Sequence, residues 1–216
     1  MSQPVDLSLR SASGGKLVHK YYPGGDEAAP LLVTLPGDHY GVDGPLLYYP
    51  SLVLRGAGWS TFAITYGYQA AGEPFTLTAL PDMVEEVSAA LKEALRRGSQ
   101  VRVGLVGKSL GAALLATLAS TLPELESARM VYLTPPLGVP LFAPAFLETR
   151  QKSLVVIGTA DRFYDQDTLE AMRTERSFEL LEIDGADHSL TVESGLAGTL
   201  SVHERAVDAV VAFLRD

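Results

Sequence analysis

A short apolar run that turns into a helix around one serine constrains this chain more than any other feature. Residues 101–120 begin with VRVGLV, which is typical of a buried strand, and continue beyond Ser109 with an Ala- and Leu-rich helical run. Gly107 and Gly111 stand two residues before and after the serine, where side chains would collide with the neighbouring strand and helix. The pattern therefore predicts a strained turn that presents the Ser109 hydroxyl at the end of a sheet, beside the helix N–H groups.

Composition limits the class of protein and its partners. With 216 residues, 47% of them hydrophobic and 20% charged, we expect a single globular domain over residues 1–216. The net charge of −9 argues against nucleic acid or an anionic membrane as a partner. The chain has no cysteine, which excludes disulfides, a thiolate nucleophile and cysteine metal ligands. The first ten residues do not resemble a secretory signal, and no apolar run approaches the ~18 residues of a membrane span, so we expect a cytoplasmic protein.

Strand-like and helix-like segments alternate along most of the chain. A hairpin is predicted from the alternation of apolar and polar residues in 5–10 and 16–22. The further predicted strands are Leu31–Leu35, Trp59–Tyr66, the run before Ser109, Arg129–Thr134, Leu154–Thr159 and Phe178–Ile183. The predicted helices are Gly44–Gly56, Thr78–Arg97, the run after Ser109, Asp167–Thr174 and Val202–Leu214. This rhythm predicts an α/β fold with a mostly parallel sheet, whose functional groups collect at the carboxyl ends of the strands.

Two of the predicted strands are followed by residues that complement the serine. Asp161 follows the strand that ends at Gly158, and His188 follows the strand that ends at Ile183. A serine hydroxyl is a weak nucleophile at neutral pH, so it needs a general base, and that base needs an acceptor that fixes its tautomer. We therefore predict a Ser109, His188 and Asp161 catalytic triad, in the chain order serine, acid, histidine.

Other acidic residues and histidines are alternatives to these assignments. Asp165 and Asp167 lie further along the same loop, where solvated or helix-capping roles compete with a role as the triad acid. Asp187 adjoins the predicted base and is interpreted as a turn former. His19, in an early strand, and His203, at the start of the closing helix, are assigned surface or capping roles.

The loop after the Leu31–Leu35 strand is the expected source of a second oxyanion donor. Its glycine, Gly37, allows the backbone to approach a substrate closely. We expect the N–H of Asp38, or failing that of His39, to pair with the N–H of Leu110 in an oxyanion hole. The His39 side chain is either a binding group or an ordinary residue at the rim of the pocket.

Three motifs follow one another along the chain, GKSLG at 107–111, GTAD at 158–161 and GADH at 185–188. In this order they resemble those of the α/β-hydrolase superfamily, in particular its small lidless serine members such as dienelactone hydrolases and short carboxylesterases. The resemblance implies a three-layer fold with an eight-stranded, mostly parallel sheet, helices on both faces, no lid domain, and a hydrolase without metal or organic cofactor. Pro36 stands where many relatives have histidine, which should leave the backbone donor intact but alter the wall of the pocket. Dienelactone hydrolases proper use cysteine where this chain has Ser109, so the dienelactone substrate is not expected.

The predicted substrate is a short ester or thioester of modest size. Residues 137–147 are apolar but too few for a lid, so Phe142 and Phe146 either pack as an ordinary crossover segment or line an acyl pocket. Tyr66 and Tyr68 are candidates for the opposite wall. The favoured function is a carboxylic ester hydrolase; a thioesterase or acyl-peptide hydrolase with the same triad, and a non-catalytic binding protein of the same fold, are the alternatives. The sequence does not determine an oligomeric state.

Overall fold

Eight strands form one sheet in the computed structural model of the chain, which describes residues 3–12, 14–26, 28–97 and 102–216. The strands are β1 (Val5–Arg10), β2 (Lys16–Tyr22), β3 (Leu31–Leu35), β4 (Ser60–Ala63), β5 (Val103–Lys108), β6 (Arg129–Leu133), β7 (Ser153–Gly158) and β8 (Glu179–Ile183). The helices are α1 (Pro45–Gly56), α2 (Gly67–Ala71), α3 (Leu80–Arg97), α4 (Leu110–Thr121), α5 (Phe142–Glu148), α6 (Gln166–Glu175) and α7 (Gly195–Arg215). Short 3-10 turns occupy Leu77–Ala79 and Pro123–Leu125.

The strand order places β5 near the middle of the sheet. The order is β1-β2-β4-β3-β5-β6-β7-β8, in which β1 and β2 pair antiparallel, β2 and β4 pair antiparallel, and all later pairs are parallel. The carboxyl ends of β3, β5, β7 and β8 therefore lie along one edge of the sheet. Because connecting loops emerge at that edge, groups far apart in the sequence meet there.

Helices cover both faces of the sheet and divide the core into two layers. Neighbouring residues of the central strands point to opposite faces, as Leu105 and Val106 do. One layer is formed with α3, α4, α5 and α6, and the other with α1 and α7. Strands β3, β5 and β7 are buried along their whole length, which explains why their sequences are apolar without alternation. Among the helices of the described ranges, none has the length and apolar character of a membrane span.

The structure corrects several of the sequence-based boundaries. The strand predicted to reach Tyr66 ends at Ala63, and the following predicted loop contains the short helix α2. The closing helix begins at Gly195, so His203 lies inside it rather than at its start. Val101, the first residue of the predicted central strand, lies outside the described residues. The differences at the end of β4 and the start of α7 concern element boundaries, which depend on tertiary packing as well as on local pattern.

His19 is buried in the sheet, which contradicts the surface or capping role predicted for it. Its residue exposure is 0%, and its Nδ1 accepts a hydrogen bond from the N–H of Thr65 at 3.1 Å. The ring lies 5.5 Å from the ring of Phe62. Burial lowers the pKa of His19 from 6.5 to about 4, because desolvation disfavours the imidazolium.

This buried histidine makes stability depend on pH below neutrality. The folded pKa of about 4 lies below the unfolded value of 6.5, so between these limits the unfolded chain binds a proton that the folded chain does not. We expect His19 to reduce the free energy of unfolding by about 2 to 3 kcal/mol between pH 7 and pH 4.5. Urea unfolding of the native chain and of His19→Gln measures this contribution to the free energy of unfolding. Glutamine keeps a hydrogen-bond acceptor but does not titrate.

The His19→Gln variant should lose less stability than the native chain over the same pH interval. His39→Gln serves as the matched control, because the side chain of His39 is 88% exposed. Equal losses in the native chain and in His19→Gln would contradict the assignment to His19.

Candidate active site

Ser109 lies in a sharp turn between β5 and α4, as predicted for the serine of the G-x-S-x-G motif. Its backbone has φ 52° and ψ −112°, a positive-φ conformation that costs free energy in a residue with a side chain. A Cβ on Gly107 would lie 2.4 Å from the carbonyl oxygen of Gly111, and a Cβ on Gly111 would lie 2.4 Å from that of Leu35. Glycine is therefore required on both sides for the strand and helix to pack around the serine. The Ser109 N–H donates to the carbonyl of Leu133 at 2.9 Å.

Ser109, His188 and Asp161 form a continuous chain of hydrogen-bonded side chains. The distance between Ser109 Oγ and His188 Nε2 is 2.9 Å, and that between His188 Nδ1 and Asp161 Oδ2 is 2.8 Å. The Asp161 side chain is 0% exposed, and its Oδ1 accepts the Phe163 N–H at 2.9 Å. Because a carboxylate only accepts hydrogen bonds, the neutral imidazole of His188 carries its hydrogen on Nδ1 and turns the lone pair of Nε2 to the serine. The arrangement can remove a proton from the hydroxyl.

Close packing of the loops after β7 and β8 brings Asp161 and His188 together. The N–H of Ala160 donates to the carbonyl of Ala186 at 3.0 Å, and that of Thr159 to Ile183 at 3.0 Å. A Cβ on Gly158 would lie 2.0 Å from the Ala186 carbonyl oxygen, so only glycine permits this approach. The Phe163 ring then stands edge-on to the His188 ring at 5.0 Å and supports one side of it.

The competing acids and histidines have other partners. Asp165 caps α6 by accepting the N–H of Thr168 at 2.7 Å, and Asp167 lies exposed in the first turn of that helix. Asp187 accepts the N–H groups of Ser189 and Thr191, which is the turn-forming role predicted for it. His203 Nε2 is 3.0 Å from the carbonyl oxygen of Ser189.

An open cleft lined mostly by polar residue types lies over the serine. Its volume is about 450 Å³. The lining residues are Gly37, Asp38, His39, Tyr40, Lys108, Ser109, Ala160, Arg162, Asp187, His188 and Ser189. Ser109 is partly exposed and lines this cleft, so a small molecule can reach the hydroxyl from solvent. In the described part of the chain, no group of three or more His, Asp or Glu side chains is arranged to hold a metal ion.

The loop after β3 is held against the nucleophile by α2 and the residue before it. Gln69 Nε2 donates to the carbonyls of Gly37 and Asp38 at 2.8 and 2.9 Å, and the Tyr66 hydroxyl donates to that of Pro36 at 2.8 Å. A trans peptide points its N–H away from its C=O, so the N–H groups of Asp38 and His39 point away from Gln69. Across the described residues, neither Asp38 nor Leu110 donates its N–H to a protein acceptor.

Tyr68 contacts this loop rather than the cleft, contrary to its predicted role in substrate binding. Its hydroxyl donates to Asp38 Oδ1 at 3.0 Å, and burial together with that carboxylate raises the pKa of Tyr68. His39 Nε2 approaches the other oxygen of Asp38 at 3.3 Å. The Asp38 carboxylate is therefore in contact with the side chains of Tyr68 and His39. The exposed His39 ring lies at the rim of the cleft.

Phe142 and Phe146 pack as part of an ordinary crossover segment, and the alternative prediction that they line an acyl pocket is wrong. Both are 0% exposed, and their rings pack against Tyr132 at centroid distances of 5.6 and 5.1 Å. Phe146 also contacts Phe178 at 5.2 Å. The crossover segment between β6 and β7 has to bury its apolar face, and α5 does so on the sheet, away from the cleft.

Gln69 and Lys108 are among the residues that sequence reasoning missed and that the structure places at the site. Gln69 holds the loop after β3, but nothing in its surrounding sequence marks it. Lys108 is 1% exposed, and its amine reaches the backbone of His188. A signal for Lys108 exists, since it is the one charged residue within the apolar run before the serine from Val103 onward.

Residues 134–152 connect β6 and β7 through the short helix α5, without room for a lid domain. The sheet topology places a serine after β5, an acid after β7 and a histidine after β8. Together these features define the lidless α/β hydrolase fold. The family model of an alpha/beta hydrolase domain matches residues 51–215. The chain belongs to this family, and the family and fold support hydrolase activity. A comparison with curated protein sequences gives no match.

Solved structures of α/β hydrolases from bacteria have the same fold. An α/β serine hydrolase homologue from Coxiella burnetii is 18% identical, with a TM-score of 0.72 over 97% of this chain and 98% of the other. A serine hydrolase without lid from Xanthomonas campestris is 16% identical, with a TM-score of 0.68 over 100% and 97%. A dienelactone hydrolase from Anabaena variabilis is 18% identical, with a TM-score of 0.66 over 99% and 100%. At these identities the similarity shows the fold.

Proposed function

We propose that this protein is a serine hydrolase that cleaves a carboxylic ester through an acyl-enzyme on Ser109. The observation that carries the proposal is the distance of 2.9 Å between Ser109 Oγ and His188 Nε2, with Asp161 hydrogen-bonded behind the imidazole. These groups stand at the floor of an open cleft. A binding protein of the same fold would not need a strained serine in contact with a base.

In the proposed mechanism, Ser109 Oγ attacks the ester carbonyl while His188 Nε2 takes the hydroxyl proton. Asp161 holds the imidazole in the required tautomer and stabilises the imidazolium that forms. His188 then passes the proton to the leaving alcohol, and the acyl-enzyme remains. A water molecule, activated by the same histidine, attacks the acyl-enzyme and releases the acid and the free serine.

The tetrahedral intermediates require an oxyanion hole, for which we propose the N–H groups of Leu110 and Asp38. The N–H of Leu110 lies at the start of α4, where the helix dipole favours negative charge. The N–H of Asp38 points away from Gln69, and its loop lies against the nucleophile, since a Cβ on Gly37 would be 3.5 Å from the Ser109 Cβ. His39 is the alternative donor on the same loop. Each such donor typically contributes about 100- to 1000-fold to turnover.

The cleft supports a short acyl group and a polar substrate. Its lining contains no large aliphatic side chain, and Phe142 and Phe146, the candidates for an acyl pocket, are buried in the core. His39 at the rim remains a candidate contact for the alcohol portion. We therefore expect acetyl or similarly short esters to react faster than esters of long fatty acids.

Labelling with a fluorophosphonate tests the proposed nucleophile, because this reagent reacts with activated serines. We expect stoichiometric labelling of the native chain, none of Ser109→Ala, and much slower labelling of His188→Ala. Ser189→Ala is the matched control, since Ser189 is exposed in the same cleft and should leave labelling unchanged. If the folded native chain is not labelled, the hydrolase proposal is contradicted, and a non-catalytic binding protein of the same fold is favoured.

Matched substrates separate an esterase from a thioesterase. The measurement is kcat/KM for an ester and a thioester that carry the same short acyl group. We expect hydrolysis of the ester; cleavage of the thioester alone would assign the site to thioester chemistry.

A further inference from the structure

Lys108 lies beneath the proposed active site, directly before the nucleophile. Its side chain is buried, with 1% of the residue exposed. The amine donates to Thr134 Oγ1 at 2.9 Å and to the backbone carbonyl of His188 at 3.0 Å. It also lies 4.7 Å from the centroid of the Tyr40 ring. One amine therefore contacts the segments that follow β3, β6 and β8 while standing at the end of β5.

A lysine is a costly residue at this position. Burial, opposed by the Asp161 and Asp187 carboxylates and assisted by the guanidinium of Arg162, lowers the pKa of Lys108 to about 8. A methionine would fill almost the same volume without desolvating a charge. An amine retained at such a cost is explained if its hydrogen bonds serve the site rather than the core.

The segments that Lys108 connects are strained. In the described part of the chain, three residues other than glycine have positive φ: Ser109 at 52°, Thr134 at 42° and Leu190 at 57°. The first follows Lys108, the second accepts its hydrogen bond, and the third lies two residues beyond His188. Strained backbone persists only where surrounding contacts determine it, and the two hydrogen bonds of the amine are such contacts.

We propose that Lys108 is a positioning residue that fixes the backbone of His188 and so keeps the imidazole on Ser109 Oγ. The proposal rests on the hydrolase function proposed above. Asp161 holds the ring through Nδ1, and Lys108 holds the backbone carbonyl of the same residue. With both contacts, the histidine can neither turn about its side chain nor move with its loop.

Replacing Lys108 should therefore affect turnover more than substrate binding. A displacement of about 1 Å between reacting groups costs on the order of 100-fold, so we expect Lys108→Met to lower kcat for a short p-nitrophenyl ester by about 10- to 100-fold, with KM changed less than about twofold. Fluorophosphonate labelling should slow by a similar factor. Lys152→Met is the matched control, because Lys152 is exposed, and should behave as the native chain.

Rescue by an added amine distinguishes positioning from a general loss of structure. Lys108→Ala removes the three carbons and the nitrogen that make up n-propylamine, and the vacated space opens into the cleft that Lys108 lines. We expect n-propylamine to restore part of the kcat of Lys108→Ala and to leave Lys108→Met, whose space is filled, unchanged. A merely structural side chain would not give this difference.

Three outcomes would overturn the proposal while leaving the hydrolase function intact. The first is a folded Lys108→Met with native kcat and labelling rate. The second is a low kcat of folded Lys108→Ala that n-propylamine does not raise. If thermal unfolding shows that neither variant folds, Thr134→Val replaces them, because it removes only the other acceptor of the amine. We expect Thr134→Val to lower kcat about 3- to 10-fold, since the amine is then held less firmly. A native kcat in Thr134→Val would be the third outcome. Failure of the native chain to be labelled would instead overturn the hydrolase function itself.

Discussion

Asp161→Asn is expected to lower kcat by about 10,000-fold while the protein remains folded. The reason lies in the two contacts of this side chain. Oδ1 accepts the N–H of Phe163, and only an oxygen can do so, which leaves the amide nitrogen of asparagine facing His188 Nδ1. Two N–H groups cannot face each other, so Nδ1 gives up its hydrogen and Nε2 carries it. Nε2 then has no lone pair with which to take the proton of Ser109.

Turnover of a short p-nitrophenyl ester by Asp161→Asn measures this effect, and thermal unfolding checks the fold. Asp165→Asn is the matched control from the same loop, because Asp165 caps α6 and asparagine caps a helix nearly as well as aspartate. It should keep native turnover. A loss of less than tenfold in Asp161→Asn would mean that Asp161 does not set the tautomer of His188.

Gly111→Ala is expected to reduce the free energy of unfolding by more than about 3 kcal/mol. The added Cβ would lie 2.4 Å from the carbonyl oxygen of Leu35 and 2.6 Å from that of Pro36. Both atoms belong to the backbone at the end of β3, so no side chain can move aside to relieve the overlap. Helix α4 would have to move away from the sheet, and the core layer beneath it would lose its packing.

Urea unfolding of Gly111→Ala and Gly56→Ala separates this overlap from the general effect of replacing a helical glycine. Gly56 is the last residue of α1, and its added Cβ would meet nothing within 4 Å. The control should be unchanged or more stable by up to about 1 kcal/mol, because alanine has less conformational freedom to lose. A Gly111→Ala variant as stable as the control would show that α4 and β3 are further apart than the structure has them.

Local sequence pattern predicted much of the fold and brought out the residues now found together. The short apolar runs of β3, β5 and β7 predict buried strands. Helical segments lie between these runs, which predicts that the strands pair in parallel. Once the sheet is parallel, the residues that follow its strands must meet at one edge. Ser109, Asp161 and His188 follow three such strands, which is why they could be singled out before any distance was known.

Other features depended on contacts between segments distant in the sequence. The burial of His19 follows from the pairing of β2 with β4, and that of Phe142 and Phe146 from the docking of α5 on the sheet. Gln69 binds backbone carbonyls that lie 31 and 32 residues before it, and Lys108 binds the carbonyl of His188, 80 residues after it. No local pattern records such a pair.

The sequence by itself determined the periodicities, the glycines around Ser109 and the order of the chemical groups, because each of these is a property of neighbouring residues. Only the tertiary structure decided which side chains line the cleft, which are buried, and which hold the loops that carry the site. Those outcomes depend on how the helices and the sheet pack against one another. Packing depends on the fit between surfaces of distant segments, which come together only when the chain folds.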